Sequence, residues 1–145
     1  MREIKFRVYV ESVLPEESGV YEPEFISGFS HTLGIDKVYT KDFKFKSDTC
    51  KFTLLQYTGL KDKNGVEIYE SDLVAIDMWQ GNEHGYIAED GVIKWHQESA
   101  AFKWFSLEED ISDGNNYWLS QADKKQREVI GNIYENPKLI GGSDE

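Results

Sequence analysis

The sequence predicts a mainly β protein: a small SH3-like barrel, with an OB-like barrel as the alternative, carrying an N-terminal strand and an irregular arm. Short runs that alternate apolar and polar residues, separated by turn residues, recur along the chain, as half-buried strands do. Five or six of these runs follow residue 50, and closing so few strands into a barrel removes the unpaired edges of an open sheet. Eight Phe, eight Tyr and four Trp in 145 residues supply the bulk that one core of this size needs.

Taken in order, Ile4, Phe6, Val8 and Val10 share one face of the first strand, with Lys5, Arg7 and Tyr9 on the other. Residues 11–32 hold Pro15, Gly19, Pro23 and Gly28 among polar residues and read as a long loop or poorly regular arm. Residues 33–46 space Leu33, Ile35, Val38, Phe43 and Phe45 unevenly, which leaves helix and strand open there. Phe52, Leu54 and Gln56 alternate with Thr53, Leu55 and Tyr57 in a strand apolar on much of both faces. Asn64-Gly65 then marks a tight reversal, since this pair supplies positive φ angles.

Leu73–Trp79 is a strand rich in large apolar residues, Gly81 and Asn82 open a loop, and Gly91–Trp95 starts the next strand. Ala101–Leu107 pairs with it across a hairpin-length connection at His96–Ala100. Ser106 with Glu109, and Ser120 with Asp123, are N-cap patterns that can each open a turn of helix. Glu128–Tyr134 is the last strand, stopped by Pro137, and Gly131-Asn132 inside it suggests a bulge or a close backbone approach. The expected organisation is a strand and mixed arm over 1–50 packed on a barrel at 51–140, with a flexible tail at 141–145.

Charge is divided unevenly. The net charge is −11; residues 1–60 hold 8 Lys+Arg against 9 Asp+Glu, and residues 61–145 hold 8 against 18. No Lys or Arg lies between Lys63 and Lys94, where seven carboxylates fall: Glu67, Glu70, Asp72, Asp77, Glu83, Glu89 and Asp90. Duplex binding replaces counterions with Lys and Arg, so the second half is electrostatically wrong for it. Lys37, Lys41, Lys44, Lys46 and Lys51 form a local basic stretch, interrupted by Asp42 and Asp48. No apolar run approaches the roughly 20 residues of a membrane-spanning helix. The opening residues lack the apolar block of a signal peptide, and the lone Cys50 has no internal disulfide partner; a reducing cytoplasm is the expected compartment.

MREIKFR at 1–7, LLQYTGLKDKNGVEIYESDLV at 54–74, GVIKW at 91–95 and EVIGNIYENPKL at 128–139 together resemble the YopX family of phage and prophage proteins. The likeness is collinear and leaves residues 11–50 and most of 96–127 unmatched. The family usually has Glu-Gly-Asp where this chain has Glu70-Ser71-Asp72, and often Trp-Asp where it has Val8-Tyr9. A serine at 71 argues against a positive φ there. The resemblance implies a small, mostly β protein made from phage-type genes inside a bacterial host, and it supplies no activity. Physically, the matched segments are turn chemistry, with Asp72 placed to accept from the backbone N–H groups that follow it.

Chemical motifs are sparse. His31, His84 and His96 have no helix-face ligand spacing, and Cys50 has no neighbour that would activate it. Phosphate loops, nucleophile elbows and paired-Cys patterns are absent from the sequence. No catalytic residue, metal ligand or cofactor is therefore assigned. The leading expectation is a non-catalytic accessory protein that binds a host or phage protein, with self-association allowed, through an acidic and aromatic barrel face. Asp72, Asp77, Tyr86, Tyr117 and Trp118 are its candidate residues. One alternative is a module that binds single-stranded nucleic acid through the 37–51 basic stretch and the aromatics, or imitates nucleic acid through its acidic half. The other is a metal-assisted hydrolase around Asp77, His84 and Glu89–Asp90.

Overall fold

Backbone pairing follows the alternation of the sequence in a computed structural model that describes residues 5–27, 37–41, 43–79, 81–107, 116–118 and 123–141. The chain divides into two units, Ile4–Gln56 and Tyr57–Glu145, the latter taking Met1–Glu3 as well. Both are built mainly from β-strands.

In the N-terminal unit, β1 (Phe6–Ser12) lies between β2 (Gly19–Tyr21) and the first part of β6 (Cys50–Lys61), antiparallel to both. A second sheet has the order β3 (Phe25–Ser27), β4 (Lys37–Tyr39) and β5 (Lys44–Lys46). Val8 and Val10 of β1 share a buried cluster with Val38, Phe45 and Cys50, so the inner faces of the two sheets make one core. The uneven spacing of residues 33–46 thus resolves, over 37–46, into two short strands that each bury one central residue. The arm has local order too. Pro15 opens a single 3-10 turn, and the Ser18 hydroxyl accepts from the Ser12 N–H at 2.9 Å, which returns the chain to pair as β2.

The C-terminal unit takes the second part of β6, from Tyr57, which pairs with β7 (Glu67–Tyr69). Its main sheet has the order β11 (Asn116–Trp118), β10 (Ala101–Ser106), β9 (Tyr86–His96), β8 (Asp72–Trp79) and β12 (Arg127–Asn132), all antiparallel. This curled, half-barrel sheet is the small barrel-like architecture expected from the sequence. Ile68, Val74, Ile76, Ile93, Phe102 and Trp104 fill it. The chain then makes one helical turn, α1 (Lys138–Gly141). The rest of the expected tail, residues 142–145, lies outside the described residues, as do His31, Glu109 and Ser120.

Two glycines are required by close approach. A Cβ on Gly91 would overlap Trp104 Cε2 and Nε1 and lie 2.7 Å from the Phe105 carbonyl oxygen. The fully buried Trp104 crosses above it, and its indole N–H donates to the Val74 carbonyl at 2.8 Å. Gly131, at φ 155°, sits at the register shift of β12 with Asn136 packed where a Cβ would stand, which is the bulge expected there.

Several local expectations are corrected. Only Gly65 of the Asn64-Gly65 pair has a positive φ (82°), because its N–H closes a turn on the Asp62 carbonyl and one left-handed residue completes the reversal. Ser71 does take a positive φ, 72°, although it is not glycine. Its N–H donates to the Ile93 carbonyl at 2.8 Å, and its own carbonyl accepts from the Ile133 N–H at 3.1 Å, so two distant segments hold it there. The Asp72 carboxylate accepts from the Tyr69 N–H, which precedes it in the chain, at 2.8 Å. Strand β9 starts at Tyr86, ahead of Gly91, and β12 ends at Asn132, ahead of Tyr134. The Asn132 side-chain oxygen accepts from the Tyr134 and Glu135 N–H groups and turns the chain out of the sheet. Ser106 is a strand residue whose hydroxyl donates to Glu89, and the cap of the 3-10 turn Lys124–Gln126 is Asp123 itself.

Candidate functional site

Strand length decides which aromatics are covered. Strand β12 pairs with β8 only as far as Ile76, and β10 pairs with β9 only as far as Gly91. The β8–β9 hairpin continues beyond both limits, from Asp77 to Asp90, with the rungs Asp77–Ala88, Met78–Ile87 and Trp79–Tyr86. Among the described residues no further strand flanks this arm. Its tip carries Trp79, 56% exposed, against Tyr86, 59% exposed, with ring centroids 5.1 Å apart in an edge-to-face arrangement. Ile87 on the opposite face is also exposed. Isolated exposed apolar residues are common on protein surfaces, whereas three large ones lie together around this hairpin tip.

Alternation sorts the carboxylates around this tip. Asp77 and Asp90 share the face of Trp79 and Tyr86, whereas Glu89 points to the opposite face and receives the Ser106 hydroxyl. His84 is exposed in the connecting loop. Of the acids in the Asp77, His84 and Glu89–Asp90 grouping, the pleat thus separates Glu89 from Asp77 and leaves Asp90 on the face of Asp77. Among the described residues no group of three His, Cys, Asp or Glu side chains is placed to hold a metal ion.

Of the sequence candidates, Asp77 and Tyr86 meet on this arm. Asp72 does not join them: it is 3% exposed and committed to the turn that starts β8. Tyr117 and Trp118 pair by backbone with Trp104 and Lys103 on β11, and their side chains lie outside the described part of the structure. Trp79 ends the apolar-rich run Leu73–Trp79, which in sequence reads as core. Trp95 is also exposed, with an edge-to-face contact to Phe102.

The most elaborate polar cluster in this unit is structural. Asp62, 1% exposed, accepts from Asn64 at 2.8 Å and Val66 at 2.9 Å through Oδ1, and from Val129 at 2.9 Å through Oδ2. Arg127 donates from Nε to the Lys61 carbonyl at 2.8 Å. Burial pushes the Asp62 carboxyl up, but the three backbone N–H donors and the Lys63 charge outweigh it and hold it below the ordinary value. This latch ties the β6–β7 turn to β12. In the N-terminal unit, the buried Cys50 lines an open cleft of about 280 Å³, with the Thr49 hydroxyl 3.7 Å from its sulfur. No helix among the described residues is long and apolar enough to cross a membrane.

A family model described as YopX protein matches residues 5–141. Among solved structures, the chain is similar to protein EF1440 from Enterococcus faecalis, with 23% identity, 97% of this chain and 99% of that chain covered, and a TM-score of 0.50. That likeness is one of fold. No curated protein matches the chain.

Proposed function

The chain belongs to the YopX family, and from that premise we propose that it is a non-catalytic phage or prophage accessory protein, acting in the bacterial cytoplasm as a protein-interaction module. The contact surface in this reading is the β8–β9 arm. The observation that carries it is the exposed Trp79–Tyr86 pair on a hairpin that, among the described residues, runs beyond the strands on either side. Aromatic anchors dominate protein interfaces, and two rings already held edge to face lose little freedom on binding. Asp77 and Asp90 on the same face favour a partner segment bearing Lys or Arg, which pairs with the carboxylates and lies over the rings.

The test is affinity capture with the full-length tagged chain from host cells carrying the phage, with and without nuclease. The expected result is a protein partner that survives nuclease and is lost with the Trp79→Ser/Tyr86→Ser double variant. A partner set unchanged by the double variant, or one that vanishes with nuclease, refutes the reading.

A further inference from the structure

The basic stretch, scattered in sequence, becomes a surface in the N-terminal unit. Val38 and Phe45 are the central residues of β4 and β5 and point into the core. Lys37 and Tyr39 flank the first, and Lys44 and Lys46 flank the second, so all four stand on the outer face. Register places Lys37 directly opposite Lys46 and Tyr39 directly opposite Lys44. The Lys44 ammonium lies 5.3 Å from the centre of the Tyr39 ring. Lys41 is exposed on the turn between the two strands.

Two lysines facing each other across a ladder repel and weaken the pairing. Their repulsion is usually relieved by carboxylates, yet among the described residues neither Lys37, Lys44 nor Lys46 forms an ion pair. This small sheet therefore carries three ammonium groups on one face, one of them over the Tyr39 ring. We propose that this outer face binds single-stranded nucleic acid, with Lys37, Lys44 and Lys46 on consecutive phosphates and a base stacked on Tyr39. Backbone charge and a ring for stacking are the two elements of sequence-tolerant single-strand binding. Lysines are point charges without a fork for base edges, so no sequence preference is expected. The acidic remainder of the chain does not forbid this, because screening confines charge effects to about 8 Å at physiological salt.

The experiment titrates a fluorescently labelled oligothymidylate with the full-length chain and follows anisotropy between about 50 and about 200 mM salt. Three phosphate contacts predict a slope of log affinity against log salt near −2, or roughly a 15-fold loss over that range. The Lys44→Glu/Lys46→Glu variant should lose at least tenfold and Tyr39→Ala severalfold, whereas Lys125→Glu in the other unit should change nothing. Circular dichroism confirms that each variant is folded, and Tyr39→Phe, which keeps the ring, should bind as the unaltered chain does. Absence of any anisotropy change at low salt overturns the proposal, as does binding indifferent to the lysine variant. Concentration-dependent self-association abolished by the lysine variant, without oligonucleotide binding, also overturns it and assigns the face to an acidic protein surface.

Discussion

Replacing Gly91 with alanine should be among the most damaging single-methyl additions to this chain. The added Cβ falls inside the van der Waals envelope of the Trp104 indole and 2.7 Å from the Phe105 carbonyl oxygen. Backbone cannot yield cheaply in the middle of a five-stranded sheet, so the indole must move. Trp104 is fully buried against Ile68, Val74, Ile76, Ile93 and Phe102, and displacing it is an overpacking event that costs about 1–3 kcal/mol. Its motion also breaks the indole hydrogen bond to Val74, worth about 1 kcal/mol. The expected total is about 3 kcal/mol, a large share of the roughly 5–15 kcal/mol of a typical domain. With a urea dependence of about 2 kcal/mol per molar, the unfolding midpoint followed by circular dichroism should fall by about 1.5 M. Trp104→Phe makes room for the methyl, so the double variant should be less destabilised than the sum of the singles by about 1–2 kcal/mol. A Gly91→Ala midpoint indistinguishable from that of the unaltered chain, or a strictly additive cycle, would refute the close-approach account.

Three further outcomes follow from the same structure. Asp62→Asn presents one amide nitrogen to a backbone N–H and should cost about 2 kcal/mol at neutral pH. Because the folded carboxyl titrates below its ordinary 3.8, its contribution is complete above that value and is lost as pH falls through the lower folded one. The gap between parent and variant in urea midpoints should therefore close in acid, and a gap that persists unchanged there contradicts the latch. Ser71→Gly removes left-handed strain of about 1–2 kcal/mol, partly offset by the greater freedom of glycine in the unfolded chain, for a net gain of about 0.5–1 kcal/mol. A lowered thermal midpoint would mean that the serine side chain, not the backbone, matters at this turn. The Trp79→Ser/Tyr86→Ser variant should unfold within about 1 kcal/mol of the parent, since both rings are exposed. A larger loss in chemical denaturation would make the pair part of the core rather than a contact surface.

Local chemistry was legible in the sequence. Strand alternation, the reversal at Gly65 and the bulge at Gly131 depend on residues within a few positions of one another, so their residue types suffice to announce them. Tyr86 was legible as an exposed aromatic because its neighbours in the chain are polar. Features imposed from a distance were not. Ser71 is held at a positive φ by its N–H donating to the Ile93 carbonyl and its carbonyl accepting from the Ile133 N–H, which nothing in Glu70-Ser71-Asp72 announces. Asp72 reads in sequence both as a turn acceptor and as a contact residue, and its burial at the start of β8 leaves only the turn role.

The candidate surfaces divide the same way. Trp79 and Trp104 are the same residue type in similar apolar runs, yet one is exposed and the other is fully buried. The difference lies in how far β10 and β12 extend beside their neighbours, which is a property of pairing length rather than of either tryptophan. Lys37, Lys44 and Lys46 were visible as a basic stretch, but only register brought them onto one face around Tyr39. The sequence by itself determined the β class, the turns and the charge imbalance, because these are set by propensities and sums along the chain. Tertiary structure decided which aromatics and which charges share a surface, because that depends on contacts between residues far apart in the chain.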